Sequence, residues 1–172
     1  MANFDHFITH LLKQEGGYAN HPNDAGGCTN MGITIGTYRS VFGQDKTCED
    51  LKQLSRQDAA TIYKSLYWDK CKADSIADDA VAWLFVDFAV NSGVRTAVRQ
   101  MQILVGTTPD GIMGNMTLRA INKCSDLYVK LMNARQQYYD NLVTNKPTQK
   151  VFYKGWMNRL KNWDEYIDQM EA

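Results

Sequence analysis

Apolar positions recur at helical spacing along most of the chain. Phe4, Phe7, Ile8, Leu11 and Leu12 predict an amphipathic helix over 3–14. Asn3 or Asp5 can cap its start, and Gly16-Gly17 stop it. Ser55-Arg56-Gln57-Asp58 resembles a capping box and opens a helix with Ala59, Ile62, Tyr63, Leu66 and Tyr67 on one face. Ala80 to Val90 is apolar nearly all round, the pattern of a buried central helix, and ends at Asn91-Ser92-Gly93. Val94, Val98, Met101 and Leu104 mark another helix that stops at Gly106. A turn at Thr108-Pro109-Asp110-Gly111 leads to a short helix around Leu118 and Ile121. Two longer helices follow. One is capped by Ser125 and carries Leu127, Leu131, Tyr138 and Leu142. The other carries Phe152, Trp156, Leu160, Trp163 and Ile167, with Lys146 to Lys150 between them.

Residues 16–36 break this rhythm with six glycines, a proline and several Asn and Asp, the composition of ordered turns. Weak alternation from Met31 to Thr37 leaves room for a short strand. The fold class expected is all-α in the main, with a small glycine-rich and partly β lobe near the N-terminus. No repeat, low-complexity tract or linker divides the 172 residues, so one compact domain is expected.

Charge narrows the partners. Lys plus Arg and Asp plus Glu are both 19, a formal net charge of zero, so no basic excess invites nucleic acid. An anionic polymer would have to be held by shape and hydrogen bonds. The N-terminus lacks a basic segment followed by an apolar run, and no uncharged stretch is long enough to span a membrane. Synthesis in the cytoplasm without membrane insertion is therefore expected, with passage to the outside depending on another agent. Cys28, Cys48, Cys71 and Cys124 contain no CxxC pair and are expected to remain thiols.

Glu15 follows Leu11 by four positions and Phe7 by eight, continuing the apolar stripe of the first helix. Partial burial and the negative end of the helix dipole would both favour its protonated form, as a general acid requires. The same position also suits a glutamate turned outward where the helix frays. Asp24 lies in a polar turn, where it would stay ionised. Two carboxyl groups with opposed environments are what glycoside hydrolysis uses, although an Asx-turn aspartate serves structure equally well.

Three separated motifs resemble the glycoside hydrolase family 108 N-acetylmuramidases, a family of phage endolysins and prophage relatives. The first is Glu15-Gly16-Gly17-Tyr18 with Asn23-Asp24-Ala25-Gly26-Gly27-Cys28-Thr29-Asn30-Met31-Gly32-Ile33. The second is Phe85-Val86-Asp87-Phe88-Ala89-Val90-Asn91-Ser92-Gly93. The third, Gln102 to Leu118 with Asp110-Gly111-Ile112-Met113-Gly114 and Thr117, is similar to that family's peptidoglycan-binding region. The likeness spans about residues 4–165, with 1–90 as the catalytic-motif half and 91–172 as the peptidoglycan-binding-like half of the same lysozyme-like body.

The resemblance implies that Glu15 is the catalytic acid. T-even phage lysozymes carry an aspartate at the interval that separates Asp24 from Glu15, and a threonine one residue further on than Thr29. Asp24 and, less closely, Thr29 are thus candidates for positioning water. A carboxyl separation of roughly 6.5–9.5 Å would invert the product, and one of about 5–5.5 Å would retain it. Tyr18, Tyr38, Tyr67, Trp68 and Asn91 are candidates for lining a glycan cleft, with core packing the competing role of the aromatics. Asp110-Gly111 and Gly114 are expected to shape a turn.

The function implied is cleavage of the β-1,4 bond between N-acetylmuramic acid and N-acetylglucosamine, with no metal or other cofactor. Peptidoglycan is the partner, the chain is expected to act as a monomer, and a holin would release it for host lysis in the cell wall. Two rivals remain open. An amidase or peptidase would need His6 with His10, or Cys28 with His21. A binding module would need no chemistry at all.

Overall fold

The computed structural model describes residues 1–21 and 26–172. Nine α-helices and one two-stranded sheet occur among them, a mainly all-α, lysozyme-like fold with a small β element. The chain forms two compact units, one of Phe4–Leu66 and the other of Met1–Asn3 with Tyr67–Ala172.

In the first unit, α1 (Phe4–Gln14) buries Phe7, Ile8 and Leu11, the stripe read from its spacing. The glycine-rich segment then supplies β1 (Thr29–Asn30) and β2 (Ile33–Thr34), paired antiparallel with Asn30 opposite Ile33. Their loop is the two residues Met31 and Gly32, with φ of 49° and 75°. Two positive values in succession define the tight turn whose twist matches a hairpin, and glycine at the second position makes it accessible. The anticipated strand over Met31–Thr37 is therefore shorter. Thr34 caps α2 (Ile35–Phe42) by accepting from the Thr37 amide, which ends the strand after two residues.

A second departure is covalent. Thr47 and Asp50 form a reciprocal capping box at the start of α3 (Cys48–Lys52), and the buried Asn30 amide donates to the Leu51 carbonyl at 2.9 Å. This packing of β1 on α3 brings Cys28 and Cys48 to 5.9 Å between Cα atoms, and they form a disulfide. The expectation of four thiols is thus corrected, since only Cys71 and Cys124 are free. Ser55 caps α4 (Arg56–Tyr63) as its motif predicts. A π-helical turn, Lys64–Trp68, follows.

The second unit is organised on α5 (Asp79–Ser92), in which every residue from Ala80 to Ala89 is buried. Packed around it are α6 (Val94–Val105) and α8 (Leu127–Asn145). Next to them lie α7 (Asn115–Lys123), which packs on α6, and α9 (Lys150–Glu171), which packs on α8. Ser125 does not cap α8. Asp126 occupies that place in a left-handed conformation, without a capping side-chain bond.

The turn before α7 is built around the buried Gln102. Its amide donates to Asp110 at 2.8 Å and to the Ile112 carbonyl at 3.1 Å, while its carbonyl oxygen accepts from the Gly111 amide. A Cβ on Gly111 would meet Arg95 at 2.6 Å. These residues shape a turn.

A charged pair, Asp87 and Arg135, is buried in this core. The Asp87 carboxylate pairs with Arg135 at 3.0 Å and Arg159 at 2.7 Å. Burial raises its carboxyl, but the Arg159 and Arg135 guanidiniums outweigh that and hold it below the usual aspartate range.

Candidate active site

The half-buried Glu15 follows the last residue of α1, where its amide still bonds to the Leu11 carbonyl at 3.1 Å. It sits one turn beyond Leu11 and two beyond Phe7, both with no exposed surface, and its carboxyl lies over Gly32. Beyond the exposed Gly16 and Gly17, the chain returns to the hairpin at Ala19. Ala19 exchanges two backbone bonds with Thr29, of 2.8 and 2.9 Å. Glu15 is thereby tied from one side by a helix and from the other by β1.

The hairpin turn forms the seat for its carboxyl group. A Cβ on Gly32 would lie 2.6 Å from Glu15 Oε2 and 2.6 Å from the Tyr63 hydroxyl. Both oxygens thus converge on a spot that is free only because residue 32 has no side chain. Tyr63, on α4, also donates its hydroxyl proton to the Met31 carbonyl at 2.7 Å, which holds the turn in place. The hairpin, α1 and α4 therefore bring the Glu15 carboxyl and a phenolic hydroxyl together over Gly32. Tyr63 was legible only as a core residue on an apolar helix face. A buried tyrosine needs a partner for its hydroxyl, but nothing in the spacing says that the partner lies in this turn.

The remaining candidates separate. Thr29 lies on β1, half-buried, with its side chain on the strand face opposite that of Asn30. Tyr18 is half-buried in the same unit, with the Lys52 ammonium 5.6 Å from its ring centre. Tyr38 is 8% exposed and packs on Phe42 at 5.2 Å. Tyr67, Trp68 and Asn91 belong to the other unit. Trp68 is fully buried, with its indole donating to Asp74 at 2.7 Å, so it offers no face to a sugar. Asn91 is half-buried at the end of α5 and accepts a hydrogen bond from Tyr139. Asp24 lies outside the described residues. Cys28 is buried and held in the disulfide, which removes the thiol that a pairing with His21 would need.

A small hairpin carried by a mainly α-helical chain defines the fold class, which is lysozyme-like. The chain belongs to the glycosyl hydrolase 108 family, whose profile matches residues 8–93. A second profile, described as a predicted peptidoglycan domain, matches residues 96–161. The solved structure of SagA from Brucella abortus is similar over 96% of this chain and 94% of its own, with 33% identity and a TM-score of 0.80. No curated protein matched the chain. It is a glycoside hydrolase of the kind that acts on peptidoglycan.

Proposed function

We propose that the chain is an N-acetylmuramidase, a lysozyme that hydrolyses the β-1,4 bond between N-acetylmuramic acid and N-acetylglucosamine, with Glu15 as general acid. The observation that carries this reading is the seating of the Glu15 carboxyl on Gly32 beside the Tyr63 hydroxyl. A general acid has to meet one glycosidic oxygen in a fixed geometry, and a carboxyl held on a turn by a helix end has little freedom to lose.

Glu15 gives its proton to the glycosidic oxygen as the C–O bond breaks. The electron pair leaves with the N-acetylglucosamine 4-oxygen, and positive charge develops on the muramic acid ring. A carboxylate or a held water meets that charge from the other face. Asp24 is the candidate for this role by its interval from Glu15, and Thr29, on the strand tied to Ala19, is the candidate for gripping the water. Tyr18 and Asn91 are the candidate sugar contacts. In biological terms the reading is an endolysin, a monomer made in the cytoplasm and released by a holin to lyse the host from its wall.

Digestion of purified peptidoglycan by wild type and Glu15→Gln, with mass analysis of the fragments, tests this. Wild type should release disaccharide units with new muramic acid reducing ends, and the variant should be slower by about 10²–10⁴-fold. Equal rates for the two proteins would remove Glu15 from the chemistry. Free peptides in place of glycan fragments would make the enzyme an amidase or peptidase.

A further inference from the structure

The buried charge on α5 is the start of a chain of contacts that reaches the surface. Arg135, with no exposed side-chain surface, pairs with Asp87 and also donates to the Tyr139 hydroxyl at 3.0 Å. Arginine has only donors to offer, so the Tyr139 oxygen accepts here and its single proton is left for the next partner. That partner is Asn91 Oδ1. The polarity of the chain fixes the Asn91 amide: its oxygen faces Tyr139 and its NH₂ group faces away.

The Tyr139 ring carries a second sequence of contacts. Trp156 stacks on it at 4.9 Å with the planes 16° apart, and Phe152 lies 6.1 Å beyond Trp156. Exposure rises along this row. Tyr139 is fully buried, Trp156 half-buried, and Phe152 54% exposed. Large apolar rings left in water beside an oriented polar group are a mark of a binding surface.

We propose that Asn91, Trp156 and Phe152 form a holding surface for the glycan strand of peptidoglycan, with Tyr139 as the positioning residue that turns the Asn91 amide outward. Aromatic faces match the C–H faces of sugar rings, and an amide NH₂ matches an acetamido oxygen or a hydroxyl. The two arginines of the network are both turned inward on Asp87, so neither is the group that meets the ligand. The three groups named are an amide and two rings, which suit a sugar better than the charged ends of a stem peptide. Tyr139, Phe152 and Trp156 also lie within the segment that matches the predicted peptidoglycan domain. The inference rests on the glycosidase reading only in taking the strand held to be the strand cut.

The test is a titration of the full chain with peptide-free glycan strands, following the tryptophan indole N–H resonances and the binding heat. One indole signal, absent from Trp156→Phe, should shift, and free stem peptide should not move it. Phe152→Ala, at a side chain too exposed to hold the fold, should weaken strand binding about fivefold to tenfold, as should Asn91→Ala. Tyr139→Phe keeps the ring and loses the proton given to Asn91. It should raise KM on wall more than it lowers kcat, with the indole of Trp156 still in its folded position. Wild-type affinity in both Phe152→Ala and Asn91→Ala would overturn the proposal, and so would a Trp156 response to stem peptide alone. Glu15→Gln should bind strands like wild type. If that variant still cleaves wall, the acid assignment falls and the holding surface stands.

Discussion

The two units of this chain hold their polar groups by opposite means. In Phe4–Leu66, most of the order comes from local chemistry, a two-residue turn and side-chain caps on α2, α3 and α4, to which one disulfide adds a longer-range tie. In Tyr67–Ala172 it comes from long-range packing on α5, with a carboxylate sunk into the core between two arginines. Local devices set a short segment accurately and cost little when lost singly. A buried charge stabilises only while all its partners are present, because each of them is desolvated.

That difference sets the order of the expected effects. Asp87→Ala leaves Arg135 fully buried without its counter-charge, and should cost about 3–5 kcal/mol in urea unfolding. The same carboxyl makes stability depend on acid. Its folded pKa is depressed, so its contribution is whole above the ordinary aspartate value of about 3.9 and is lost as pH falls through the lower folded value. An acid titration of Asp87→Ala should lack that component. A result in which the variant unfolds like wild type would erase the contrast between the units.

Opening Cys28–Cys48 with a reductant releases a 20-residue separation and should cost about 3 kcal/mol. The midpoint of unfolding should fall with reductant in wild type and stay unchanged in Cys28→Ser/Cys48→Ser. Ser55→Ala removes only the cap of α4 and should cost about 1 kcal/mol in the same assay. A loss as large as that of Asp87→Ala would mean that the first unit is no more locally built than the second.

Periodicity carried most of the helical layout because each helix presents its own pattern. Phe7 and Leu11 placed α1, and the apolar run to Val90 placed α5 with its burial. The turn at Asp110-Gly111 was legible from its residues, though not Gln102 as the group it wraps. What was missed depends on partners far along the chain. Nothing local pairs Asp87 with Arg135 and Arg159, joins Cys28 to Cys48, or sends the Tyr63 hydroxyl to Met31. The short α2 and α3 carried too few apolar positions to show a period. At the candidate site the same division holds: Glu15 announced itself through the stripe it continues, whereas the hairpin turn that receives it is a tertiary contact.

Gly32 gives that seat a consequence for protein engineering. Side chains are the usual currency of a functional map, yet this position matters through having none, both in its φ of +75° and in the space over its α-carbon. In a saturation library scored for wall clearing, position 32 should be as intolerant as position 15. Alanine, the customary harmless replacement, should fail there almost as completely as tryptophan.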